Sequence, residues 1–177
     1  NGSFSLDPLF LAGRLEAAAK AFEQSNRLEP SRSAYGNLGT VYYYLGRLDE
    51  ADAMFGRALE LAPEDYQLWF GRADARWYMP RRRELARDDY RRAAALAERT
   101  LAVDATDAET WAILGYVYGR LDETERSQQY LRRALELGGD GPYVNYFAAI
   151  AAADRGDRKT AAQLARRAVE LGHSRVL

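Results

Sequence analysis

The side chains able to do covalent or acid–base chemistry are few and poorly placed for it. The single histidine, His173, stands near the C-terminal end of the sequence, where a surface role is expected. There is no cysteine, which excludes disulfides, thiol catalysis and cysteine-ligated zinc. The carboxylate pairs Asp49-Glu50, Asp88-Asp89 and Asp122-Glu123 read as opening turns of helices, where acidic groups complement the helix dipole. General acid–base work needs two such groups in a shared cleft, and no spacing brings these together. Arg81-Arg82-Arg83 is the one basic run, either the solvated start of a long helix or a contact for an acidic partner. No glycine-rich phosphate loop and no metal-ligand cluster is visible. The reading is of a protein that is not an enzyme and holds no cofactor or metal.

Composition narrows the partners. The 177 residues include 25 Lys and Arg against 26 Asp and Glu, a net charge of −1. That balance lacks the basic footprint of a nucleic-acid binder or a polybasic membrane-surface protein. No apolar run approaches the roughly 20 residues that span a bilayer, so no membrane insertion is expected. With 47% hydrophobic and 29% charged residues the chain can build a core and keep a polar surface.

The elements that must position any site repeat along the chain. In the stretch 34–63, Tyr35, Leu38, Gly39 and Tyr42 fall on one face of a helix, Gly46 punctuates, and Ala51, Phe55 and Ala58 form a second face before Pro63 stops it. This order resembles the tetratricopeptide repeat: an aromatic, Leu-Gly, Tyr, Ala, Phe and a closing Pro. Only the first aromatic departs, Tyr35 standing where the family prefers Trp. Gly39 and Ala51 are small enough to let paired helices approach, and Tyr42 and Phe55 fill the space around them. Trp111, Leu114, Gly115 and Tyr118 open another copy that closes through Ala134, Leu135 and Leu137, with Ser127 and Leu131 at the small and Phe positions.

The resemblance implies an all-α fold, a solenoid of antiparallel helix pairs in a right-handed superhelix, with about four repeats after an orphan N-terminal helix. The expected division is a half repeat at 7–31, repeats at 32–65, 108–141 and 142–174, and an expanded repeat at 66–107. Asp7-Pro8 reads as the cap and first turn of the orphan helix. Its apolar face from Phe10 to Phe22 is a candidate for self-association. In the expanded repeat, 42 residues long against 34 for its predecessor, the first helix should lengthen through Trp77-Tyr78-Met79 and turn at Pro80. The second should run from Arg82 to Val103, with Ala93 small and Ala97 and Thr100 in place of Phe and Ala. Register in the last repeat is open, because Tyr143 to Ile150 lacks the aromatic-Leu-Gly signature.

In such solenoids the first helix of each pair lines the groove, which implies a protein or peptide partner there. Helical geometry sets Ser33, Gly36, Thr40 and Tyr43 on a face away from the pairing face, and the later repeats contribute the equivalent positions. The candidate groove residues are Asn37, Thr40, Tyr43, Phe70, Asp74, Trp77, Tyr116, Arg120 and Tyr146. Tyr43 and Tyr116 are expected in the groove, whereas Trp77 and Tyr78 also suit core filling of a lengthened helix. Asn37 matches an asparagine that holds a bound peptide's backbone in related repeats, or else is a solvated surface residue. The carboxylate clamp of chaperone-binding members is absent, since Gly36, Thr40, Phe70, Asp74, Ala112 and Tyr116 occupy its surface.

A narrower resemblance is to the repeat arrays at the C-terminal end of bacterial modular signalling proteins, carried by Ala34 to Arg47, Tyr90-Arg-Arg-Ala, Ala97-Glu-Arg and the Gly172-His-Ser-Arg ending. The leading function is a protein-interaction scaffold. The alternative is the regulatory domain of a larger kinase, cyclase or transcription regulator, cytoplasmic or periplasmic.

Overall fold

A computed structural model describes residues 8–172. Asp7, His173 and the side chain of Phe10 lie outside what is described, as does the ending after Gly172. The described residues form helices α1 (Pro8–Leu28), α2 (Arg32–Tyr44), α3 (Leu48–Leu61), α4 (Tyr66–Trp77), α5 (Arg83–Val103), α6 (Ala108–Arg120), α7 (Thr124–Gly138), α8 (Pro142–Asp154) and α9 (Arg158–Glu170), with no strand among them. They gather into two compact units, Asn1–Asp89 and Tyr90–Leu177.

In the first unit, caps fix where helices begin. Ser31 accepts a hydrogen bond from the Ala34 amide at 3.1 Å, and Asp65 accepts from the Gln67 amide at 3.0 Å. Gly46 turns the chain between α2 and α3 at φ 74°, a region that favours glycine. Phe55 of α3 is the packing centre. A Cβ on Gly39 would come 3.1 Å from the base of its ring, and one on Gly71 would come 2.6 Å from its tip. The two glycines thus let α2 and α4 close on the same ring. Leu15, Ala18 and Phe22 of α1 pack against this core together with the buried Ala19. Tyr42 donates its hydroxyl to Glu23 of α1 at 2.6 Å, and the Arg47 guanidinium covers its ring at 4.2 Å.

The expanded repeat differs from expectation. Its first helix is not lengthened: α4 has 12 residues, ends at Trp77 and gives way to a turn through Pro80, while α5 takes the added length with 21. Nor is Asp89 in an opening turn. It lies a turn and a half into α5, is 4% exposed, and accepts two hydrogen bonds from Arg72 at 3.0 and 2.8 Å and one from Arg76 at 2.9 Å. Arg76 also reaches Asp52 at 2.7 Å, which Arg82 meets at 3.0 Å. Arg72 and Arg76 stand where the first clear repeat has Leu38 and Tyr42, so an ionic cluster replaces the apolar pairing there.

The second unit rebuilds the same pair from other residues. Asp122, at φ 66°, takes the turn that Gly46 makes in the first unit. Gly115 faces Leu131, whose Cγ would lie 2.6 Å from an added Cβ. Tyr118 donates to Glu98, which also binds Arg126, and the Arg126 guanidinium sits 3.9 Å over the Tyr118 ring. The register of the last repeat is settled by a backbone contact. Trp69 and Trp111 each donate the indole N–H to the carbonyl six residues back, Pro63 at 2.8 Å and Ala105 at 2.9 Å. Asn145 donates its amide to Gly139, also six back, at 2.8 Å, and so stands where the aromatic does.

Candidate partner-docking face

The helix face turned away from the pairing contacts is formed differently in the two units. In the first, α2 presents Asn37 and Thr40 to solvent, the Thr40 hydroxyl donating back to the Gly36 carbonyl at 3.1 Å. α4 lies alongside because Gly36 admits Leu68, which an added Cβ would meet at 2.9 Å. Phe70 and Asp74 are half-buried on α4. At the C-terminal ends of both helices the aromatics converge. Tyr43 meets Tyr44 edge-on at 5.4 Å and Tyr78 at 6.5 Å between ring centroids. Tyr78 is 55% exposed and Tyr44 39%. Trp77 is half-buried under the Arg83 guanidinium, 4.6 Å above its ring. Tyr78 is therefore not core filling: with α4 ending at Trp77, it caps the helix and faces solvent.

In the second unit three of the equivalent positions, Tyr116, Arg120 and Tyr146, are buried, while Ala153 and Asp154 at the end of α8 are exposed. Tyr116 is 3% exposed, held between Tyr90 of α5 at 6.3 Å and Phe147 of α8 at 5.7 Å. Arg120, 8% exposed, donates from Nε to the Tyr116 hydroxyl at 3.0 Å and pairs with Asp154 at 3.4 Å. Tyr146 is buried beside Phe147 at 5.1 Å. These three residues, expected to line a groove, are core instead, because α6 and α8 carry side chains long enough to fill the space between them. At the positions of Tyr44 and Tyr78, the second unit places the Arg120–Asp154 ion pair.

A groove of about 620 Å³ in the second unit passes Asp122, Asp154 and Asp157. Its carboxylates already have structural work. Asp154 holds Arg120, and Asp157 caps α9: the Thr160 hydroxyl, and then the Thr160 amide at 3.1 Å, hold its carboxyl below the usual aspartate range. The tyrosines with displaced pKa values lie at the helix seams. Burial, then the bond to Glu23, pushes Tyr42 up to about 12, and burial with Glu98 raises Tyr118 in the same direction. Among the described residues no group of acidic or histidine side chains could hold a metal ion, and no helix is long and apolar enough to cross a membrane.

Sequence reasoning missed Tyr44 and Tyr78 as exposed groups. The available signal was position: Tyr44 and Tyr78 each follow a groove residue, Tyr43 and Trp77, at the end of a first helix.

The tetratricopeptide-repeat pattern matches residues 33–65 and again residues 108–137. No curated protein sequence matches the chain. Among solved structures the chain is similar to TTC0263, a thermophilic TPR protein of Thermus thermophilus, at 22% identity and a TM-score of 0.66, covering 95% of this chain and 88% of that one. It is similar also to MamA 41-end from Desulfovibrio magneticus RS-1, at 19% identity and TM-score 0.53 over 93% of each chain. A third likeness is to a chain of the APC/C hetero-tetramer Cut9-Hcn1, at 20% identity and TM-score 0.60, covering 95% of this chain and 32% of that one. With two matched repeats, the helix pairs built on the same contacts around them, and this shared fold, the chain belongs to the tetratricopeptide-repeat family, whose fold serves protein interaction.

Proposed function

We propose that the chain is a scaffold that docks a protein segment on the first-helix face of its first unit, within the repeat 32–65 and the start of the repeat 66–107. The observation that carries this reading is the aromatic ledge at the ends of α2 and α4, where Tyr44 and Tyr78 are solvent-exposed around the half-buried Tyr43. Aromatic rings give large contact area at small entropic cost, and they dominate interface hot spots. Thr40 and Asn37, one and two turns from Tyr44 along α2, offer hydrogen-bonding groups for the backbone of a bound segment. Phe70, half-buried on α4, adds apolar area.

The test compares two variants of the whole chain as bait. Tyr44 and Tyr78 changed together to Ala should weaken capture of a partner by at least ~2 kcal/mol, as hot spots do. Arg57→Glu, on the exposed surface of α3, should capture as the parent does. The reverse pattern, capture lost with Arg57→Glu and kept by the double alanine variant, would place docking on the second helices and end this reading.

A further inference from the structure

The turn that follows the aromatic ledge carries charge the fold does not neutralise. Arg81 is exposed in a left-handed conformation at φ 63°. Arg83 is exposed with its guanidinium laid over Trp77. No acidic side chain among the described residues pairs with either, whereas their neighbour Arg82 is bound to Asp52, and Arg72 and Arg76 to Asp89. This unit pairs its interior arginines and leaves the two at the ledge unneutralised. The chain as a whole is nearly neutral, so this is a local excess rather than a general one.

From this juxtaposition we infer that the partner segment is acidic, an Asp- or Glu-rich peptide carrying an aromatic or aliphatic anchor. The anchor sits on Tyr44 and Tyr78, and flanking carboxylates meet Arg81 and Arg83. The guanidinium fork suits a carboxylate, which it can bind through two parallel N–H donors. Stacking on Trp77 holds Arg83 in place, so less side-chain freedom is lost when a carboxylate arrives. Arg81 stands in the short turn between α4 and α5, three residues after Tyr78, and is exposed there. The inference rests on the docking reading above and supplies the chemistry of the segment that docks.

The test is selection of peptides from a random phage-displayed library on the immobilised full chain, repeated on Tyr44→Ala/Tyr78→Ala and on Arg81→Glu/Arg83→Glu. All four positions are at the surface, and circular dichroism checks that each variant keeps its helices. Enriched peptides should be acidic with at least one large apolar residue. Synthesised, they should bind at least ~10-fold more weakly to the arginine variant, a loss that shrinks when salt rises from about 50 to about 300 mM. They should also lose binding to the tyrosine variant. Peptides that need the tyrosines but carry no acidic excess, or that ignore Arg81 and Arg83, would overturn the charge inference and leave the ledge standing. Peptides indifferent to the tyrosines, or no enrichment at all, would overturn both. Tighter binding of labelled single-stranded DNA than of any selected peptide, lost in Arg81→Glu/Arg83→Glu, would overturn the inference by showing that the arginines serve phosphate rather than carboxylate.

Discussion

Gly56 and Gly71 are both interior helical glycines, so replacing either by alanine gains about the same helix propensity, roughly 0.8–1.0 kcal/mol. Their surroundings differ. A Cβ on Gly56 meets nothing within 4 Å, whereas one on Gly71 lies 2.6 Å from Cε1 and Cζ of Phe55, against ordinary contacts of 3.4–4 Å. The ring must therefore shift by close to an ångström. It has no slack, because Phe55 is 4% exposed and Gly39 already lies against the base of the ring. Overpacking of this kind costs about 1–3 kcal/mol. Gly71→Ala should thus come out destabilising by about 1 kcal/mol after its propensity gain, and Gly56→Ala stabilising by nearly that much. Thermal midpoints followed by circular dichroism should separate by several degrees, since 1 kcal/mol is worth roughly 2–4 °C in a chain of this size. Phe55→Leu removes the ring tip, and in that background Gly71→Ala should recover most of its propensity gain, a coupling of about 2 kcal/mol. Equal midpoints for the two glycine variants, or an unchanged effect of Gly71→Ala beside Leu at position 55, would refute the claim that one aromatic ring sets the approach of α2 and α4.

Asp89→Leu should destabilise by about 3–5 kcal/mol in urea unfolding, because it leaves the guanidiniums of Arg72 and Arg76 without their shared carboxylate. Arg32→Ala, which removes an exposed pair with Asp65, should cost less than about 1 kcal/mol in the same assay. Tyr116→Ala should lower stability by about 3 kcal/mol as a core truncation, while Tyr78→Ala stays within about 0.5 kcal/mol of the parent. Stability should fall as pH rises from about 10 towards 12. The folded state holds the Tyr42 proton more tightly than the unfolded chain does, so the contribution is complete below the unfolded value and lost through the folded one. Tyr118 acts in the same direction, and Tyr42→Phe/Tyr118→Phe should flatten the midpoint against pH in that window.

The repeat 32–65 was legible because its packing is local. Gly39, Tyr42, Ala51 and Phe55 meet within one helix pair, so their spacing along the chain carries the contact. The ionic cluster was not legible for the opposite reason. Arg76 meets Asp52, 24 residues earlier, and Asp89, 13 residues later, and neither distance follows a helical period. The last repeat hid its register by using Asn145 where Trp69 and Trp111 stand, an amide replacing an indole as donor to the same carbonyl.

The face proposed for docking shows the sharper limit. Helical periodicity gives the angle at which Thr40 and Tyr116 leave their helices, and that angle is the same for both. It does not give what stands opposite. Thr40 reaches solvent, while Tyr116 meets Tyr90 and Phe147 and is sealed. The ends of the first helices make the point again with different chemistry: Tyr44 and Tyr78 lie open in one unit, and Arg120 and Asp154 pair with each other in the other. An ion pair at these positions satisfies itself and has little to offer a partner. Two tyrosines there leave aromatic area exposed, and it is this area that the docking proposal uses. On the docking proposal, the residues that a repeat carries at the end of its first helix decide whether that end is spent on an internal ion pair or offers an aromatic ledge.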